Sequence, residues 1–338
     1  MNCCPNCFTD SYLKNFIIGE STEKGNCSYC KSNETALINP NKLFDRFEPL
    51  INLYKKAKKG KSLDELLKSD WEVFSIPGKR TQQKLLKTII EDRALFSTKY
   101  QPKYLKEQKN IEKWGEFKEE LKHTNRFFPK KAPEKEELRN LANLIGMKIL
   151  RGEQNFYRAR INTTDKLYEI SEMGKPPSCS ATYGRANPIG ISYLYVASKT
   201  ETAISEIRGY KGEIVTVAEF QMNDNLELVD LRNPLRTISP FQLNDDDELL
   251  MIYKNMPFFV SLGKELSKPV VPKVANLEYL SSQYLCESFK ELGFDGIIYM
   301  SSVSDGYNYV IFNDNKLKPV SKTEYEITEE ITRYREKY

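Results

Sequence analysis

Residues 193–197, 214–220, 226–230, 296–300 and 309–312 are five short runs rich in β-branched and aromatic side chains, and no G-x-G-x-x-G opens a helix after any of them. Runs of this length and composition are strands. A helical pattern over 277–292 closes on Gly293, a C-cap signal. Strands outnumber helices in this half of the chain. That excludes a doubly wound dinucleotide-binding unit and points to an α+β fold with a mixed sheet.

Beside these strands lie three clusters of chemically active residues. The first is Tyr157-Arg158-Ala159-Arg160, where alternation along a strand puts both arginines on one face. Such a pair suits a phosphate or pyrophosphate, because guanidinium meets phosphate oxygens bidentately. The second runs from Gly184-Arg185-Ala186-Asn187-Pro188 and Gly190 to Tyr195 and Glu206. Its glycines let backbone approach a ligand, and Pro188 stiffens the turn between them. Tyr195 offers a flat face and a hydroxyl. Glu206 falls in a short helix over 201–208, where one carboxylate can stabilise a developing cation. The third is Tyr299-Met300-Ser301-Ser302 with Asn308. Taken singly, each residue has an ordinary reading: a solvated edge for the arginines, a strand aromatic for Tyr195, an ion pair with Lys199 or Arg208 for Glu206. The combination carries the case, because it assembles Arg, Glu and Ser from distant segments.

That combination resembles the RES domain family, which takes its name from an Arg, a Glu and a Ser. Residues 156–160 resemble its Arg-bearing motif. Residues 184–206 resemble its longest motif, which ends on the Glu, and residues 295–302 with 308–312 resemble its Ser-bearing motif. The resemblance spans about residues 150 to 320 in order, spacing and flanking strands. It implies a fold akin to ADP-ribosyltransferases and an enzyme that consumes NAD+, as a phosphorylase or a glycohydrolase. It makes Arg158 the family Arg and Glu206 the family Glu. Arg160 stands at a second basic position that is often Lys, and Tyr195 matches the tyrosine before the Glu. Ser301 aligns best with the family serine, with Ser302 facing the other side of a strand. Arg185 and Asn308 join the substrate-binding set.

The implied chemistry breaks the nicotinamide–ribose bond through an oxocarbenium-like state. Nicotinamide leaves as a neutral ring, so no general acid is needed, which suits a chain whose single histidine, His123, lies outside this region. Glu206 is expected to stabilise the cationic ribose or orient its 2′-hydroxyl. Arg158 and Arg160 are expected to hold the pyrophosphate or an attacking inorganic phosphate, with Ser301 on the same phosphate or the ribose and Tyr195 against the nicotinamide side. Family activity of this kind is toxic, which implies a toxin–antitoxin or antiviral defence setting. Restraint then comes from an antitoxin or from the chain's own N-terminal region. A mono-ADP-ribosyltransferase acting on a macromolecule uses the same bond cleavage and stays open as an alternative. So does a non-enzymatic zinc-ribbon protein that binds nucleic acid.

The N-terminus adds Cys4-x-x-Cys7 and Cys27-x-x-Cys30, with 19 residues between the pairs. Four thiolates at this spacing fit one tetrahedral structural Zn2+, with Cys3 as a substitute for Cys4. The alternative is a set of reduced thiols or a disulfide. A disulfide is disfavoured because no signal peptide is evident and Cys179 and Cys286 have no obvious partners.

Charge divides the chain. Residues 1–40 carry a net −1, residues 41–140 +9 and residues 141–338 −4, within an overall +4. The basic middle leaves contact with nucleic acid open, but its densest stretch, residues 55–61, has no interleaved aromatics, and a solvated helical face explains it as well. Apolar residues from Phe44 to Tyr54 recur at helical spacing, Ser62 to Glu65 has the capping-box pattern, and 83–96 and 135–150 read as further helices. Pro129 and Pro133 mark a boundary. The expected domains are a zinc ribbon over 1–40, a helical block over 41–140 and a catalytic domain over 141–338. The helical block resembles the HEPN-like domain that accompanies some RES domains. Such ribonucleases need an Arg shortly before a His, and His123 has none in the preceding ten residues, so no ribonuclease activity is expected. The block is expected to sense, restrain or oligomerise. Residues 244–248 read as a solvated helix start. No apolar run approaches the roughly 20 residues that span a bilayer, so a soluble, cytoplasmic protein is expected.

Overall fold

Two short antiparallel pairs precede the main sheet: β1 (Glu23–Gly25) with β2 (Thr35–Leu37), and β3 (Tyr54–Ala57) with β4 (Lys99–Pro102). The computed structural model describes residues 1–91, 98–104, 109–163, 167–243 and 246–329. The chain forms two compact units. One comprises residues 1–111 with 234–260, and the other residues 112–233 with 261–338.

In the first unit, Asp10 starts the helix Ser11–Glu20 by accepting from the Leu13 amide at 2.7 Å. The periodic stretch from Phe44 is a helix only to Ile51, and Tyr54 already begins β3, so Lys55 and Lys56 are exposed strand residues and not a helical face. Ser62 and Glu65 form the expected capping box on the helix Leu63–Trp71. The helix expected over 83–96 is Lys79–Ile90, and residues 92–96 of that expectation lie outside the described residues. Of the helix start expected at 244–248, residues 246–248 open the helix Asp246–Ser267, and residues 244–245 lie outside the described residues. Phe47 is central to the core, with ring centroids 6.2 Å from Phe8, 6.3 Å from Phe74 and 5.1 Å from Phe241. Phe241 and Tyr253 come from the 234–260 segment, and Tyr253 shares the buried Asp70 carboxylate with Tyr54.

The second unit is built on one eight-stranded sheet. Its strands are β5 (Gly146–Ile149), β6 (Phe156–Ile161), β7 (Leu194–Ala197), β8 (Ile214–Met222), β9 (Leu226–Asp230), β10 (Gly296–Met300), β11 (Tyr307–Ile311) and β12 (Leu317–Glu326). The order is β12-β8-β6-β7-β11-β10-β9-β5, antiparallel throughout except for β9 beside β10. The strands expected at 226–230 and 296–300 form over those residues. The helix expected over 135–150 stops at Leu144, and Gly146–Ile149 instead pairs with β9 as an edge strand. Met147 and Ile149 thereby join the core. The helix expected over 277–292 is broken at Tyr279 into Ala275–Glu278 and Leu280–Glu291.

Alternation along the strands gives the sheet two apolar faces. Phe156, Leu194, Val196, Phe220, Leu228, Ile298, Tyr309 and Ile311 pack on one. Ala159, Ala197, Val215 and Val217 pack on the other, beneath Ala203, Ile204 and Ile207 of the helix Thr200–Ile207. This packing brings the C-terminal turn of that short helix, with Glu206, to the sheet. Among the described residues no helix is long and apolar enough to cross a membrane.

Candidate active site

β6 and β7 pair at a single position, Tyr157 opposite Ala197. Beyond it the ladder is replaced by a side chain: Arg158 Nη1 donates to the Tyr195 carbonyl at 3.0 Å. A cavity of about 740 Å³ opens beside this break. It is lined by Arg158, Tyr195, Glu206, Tyr299 and Asn308, and by Tyr183, Arg185, Arg208 and Tyr279. Its size lies within the range of small-molecule sites. Desolvation, reinforced by the like charge of Arg160, lowers the Arg158 guanidinium to about 10, so it stays charged at neutral pH. Its Nε is buried and has no partner among the described residues.

Two residues of the β10–β11 hairpin, 95 and 102 residues away in sequence, meet at Glu206. Its Oε1 accepts from Ser301 Oγ at 2.7 Å and from Asn308 Nδ2 at 2.5 Å. Asn308 lies in β11 opposite Tyr299 of β10, and Ser301 follows β10 at the start of the turn. That turn is itself fixed. Ser301 Oγ accepts from the Val303 and Ser304 amides at 3.2 and 3.1 Å, and Ser304 meets Thr202 at 3.0 Å. A Cβ on Gly306 would lie 2.0 Å from Thr202 Oγ1, so glycine is required where the turn crosses the helix. Ser302 makes no hydrogen bond to Glu206 among the described residues; Ser301 does. Burial, and then the negative charge of Glu206, push the Tyr299 phenol above its ordinary range.

Other expected site residues are placed differently. Arg160 donates to the Glu172 carbonyl at 2.6 Å, sits 4.9 Å over the Tyr168 ring, and is not among the residues lining the cavity. Tyr195 does line it, but its hydroxyl donates to Asn187 Oδ1 at 2.7 Å and accepts from the Ala186 amide at 3.1 Å. The hydroxyl thus holds the wall loop. Gly184 serves the same contact, since a Cβ there would lie 2.7 Å from the Tyr195 hydroxyl. Arg185 donates to the Leu266 and Lys268 carbonyls at 2.6 Å each and lies 5.5 Å over Tyr279. Arg208, Tyr183 and Tyr279 also line the cavity. Nothing in their sequence context sets them apart from other surface residues.

In the first unit, the sulfurs of Cys4, Cys7, Cys27 and Cys30 lie within 4.8 Å of one another. Cys4 and Cys30 are 3.3 Å apart and Cys7 and Cys27 3.4 Å. The Tyr29 amide donates to Cys27 Sγ at 3.4 Å, as in a metal knuckle. Zinc–sulfur bonds of about 2.3 Å in a tetrahedron place sulfurs about 3.8 Å apart, so the donor set fits zinc. Cys3 is outside this group; it is buried and its backbone bridges to Ile38.

A family model described as RES domain matches residues 156–332, a span that contains Arg158, Glu206, Ser301 and Asn308. No curated protein matches the chain. Among solved structures, a chain of the M. tuberculosis MbcT-MbcA toxin-antitoxin complex is similar at 13% identity with a TM-score of 0.34. The similarity covers 57% of this chain and 93% of that one.

Proposed function

The chain belongs to the RES domain family, and from that premise we propose that it degrades NAD+ by cleaving the nicotinamide–ribose bond. The observation that carries this reading is the Glu206 carboxylate, fixed through Oε1 by Ser301 and Asn308 at the edge of a cavity that Arg158 also lines. Oε2 has no hydrogen bond among the described residues and is the oxygen available to substrate.

In this reading the ribose carbon bonded to nicotinamide approaches Glu206 as the bond lengthens. Positive charge grows on the ribose ring, and a carboxylate already held in place stabilises it without reorganising. Ser301 and Asn308 are positioning residues, each acting through Glu206. Arg158, charged and half-buried, meets a phosphate of the substrate. Nicotinamide departs neutral, so no acid is needed at the leaving group. Water or inorganic phosphate completes the reaction, giving ADP-ribose or ADP-ribose-1″-phosphate.

Cys4, Cys7, Cys27 and Cys30 would hold a structural Zn2+ that closes the N-terminal knuckles. The N-terminal regions, 1–40 and 41–140, would restrain the catalytic region 141–338 or dock an antitoxin, in a toxin–antitoxin or defence setting in the cytoplasm. Incubating the protein with NAD+, with and without phosphate, tests the reaction. Nicotinamide release with a phosphorylated product only when phosphate is present means phosphorolysis, and ADP-ribose in both means hydrolysis. Label transferred to protein or nucleic acid would replace this reading with ADP-ribosyl transfer.

A further inference from the structure

Three arginines line the cavity, and they differ in what their guanidiniums already hold. Arg185 is tied to the Leu266 and Lys268 carbonyls. Arg158 is half-buried and donates to the Tyr195 carbonyl. Arg208 is exposed, and its side chain has no hydrogen bond or ion pair among the described residues. Glu206, two residues earlier, does not hold it: among the described residues no ion pair joins the two.

Arg208 caps the helix Thr200–Ile207 in a left-handed conformation with φ 51°, and carboxylate and guanidinium line the same cavity. A Cβ on Gly209, the next residue, would lie 2.5 Å from the Ile327 side-chain end, which would have to shift.

We propose that Arg208 binds the pyrophosphate of NAD+ at the exposed side of the cavity and makes the enzyme specific for a diphosphate-bearing substrate. The proposal rests on reading the cavity as the NAD+ site. A pyrophosphate carries two negative charges. Arg158 supplies one cation from the inner wall, and Arg208 supplies the second with its donors uncommitted, in the bidentate geometry guanidinium offers phosphate oxygens.

The test compares the full-length chain with Arg208→Ala and Arg208→Lys. NAD+ turnover is measured in all three. NAD+ affinity is measured by titration calorimetry in a Glu206→Gln background, at low and high salt. Arg208→Ala should raise the KM and the dissociation constant for NAD+ about tenfold at low salt. The gap should shrink as salt screens the exposed charge, and Arg208→Lys should recover part of it. Equal affinity for NAD+ in the presence and absence of the arginine overturns the proposal, as does a gap that ignores salt or a KM that rises only for inorganic phosphate. If wild type turns NAD+ over normally and Arg208→Ala matches it, only this proposal fails. If wild type neither binds nor consumes NAD+, the reading of the cavity fails with it.

Discussion

Asn308→Ala isolates the geometry on which the proposed chemistry depends. Asn308 sits in a central strand whose backbone pairing with Tyr299 and Ala197 does not use the side chain, so the sheet should survive the change. The side chain gives Glu206 one of the two hydrogen bonds on Oε1. A hydrogen bond to a charged group contributes about 1.5–3 kcal/mol. Asn308 is only 7% exposed, so water does not readily replace it, and the full loss applies. If Glu206 acts in the transition state, kcat for nicotinamide release falls by about 10- to 150-fold. Ser301 is more open to solvent, where water can substitute, and Ser301→Ala should cost about fivefold. Both donors hold one oxygen, so the double variant should fall by less than the product of the two single effects. Asn308→Asp keeps the shape but sets a second carboxylate about 3 Å from the first. Two such charges repel by about 1.4–5.5 kcal/mol at effective dielectric constants of about 80 to 20. Asn308→Asp should therefore be slower than Asn308→Ala. Initial rates of nicotinamide release, with melting temperatures as the control for folding, decide the matter. A folded Asn308→Ala enzyme within twofold of wild type would refute the positioning role.

Zinc analysis should find one ion per chain; Cys27→Ser should lose it and melt lower, while Cys3→Ser should retain it, because Cys3 lies outside the four-sulfur group. Tyr195→Phe should lower the melting temperature of the second unit by about 3–6 °C and raise the KM for NAD+, since it leaves the Ala186 amide and Asn187 without the hydroxyl that joins them. Alkali should unfold the protein through its buried phenols. Burial raises Tyr193, Tyr195 and Tyr299 above the free value of 10.0. The unfolded chain therefore loses these protons first, stability is intact below about pH 10, and each tyrosine removes up to about 1.4 kcal/mol per pH unit above it. Melting curves from pH 8 to about 11 should show this fall, and Tyr299→Phe should make it shallower; identical slopes would contradict it.

Much of the eight-stranded sheet can be read from the chain because local preference and final pairing agree. Residues 226–230 and 296–300 are β-rich, and each forms its strand over those residues. The convergence of Glu206, Ser301 and Asn308 across separations of 95 and 102 residues is beyond any local rule. It is suggested only by the joint presence of the motifs. Where expectation and structure part, tertiary pairing decided. Met147 and Ile149 fit a helix as well as a strand, and the ladder to β9 selects the strand. Alternation places Arg158 and Arg160 on one face, but the break between β6 and β7 turns Arg158 toward Tyr195, while Glu172 and Tyr168 take Arg160. The helix Asp246–Ser267 is divided between the two units, and an apolar pattern does not say which core each turn enters.

The most direct measurement follows NAD+ loss and nicotinamide release for wild type and Glu206→Gln at matched folding. A transition-state role for Glu206 predicts turnover by wild type and almost none by the variant, since the amide keeps the shape of Glu206 and removes its charge. Undiminished turnover in folded Glu206→Gln, or NAD+ left intact by wild type, would contradict it.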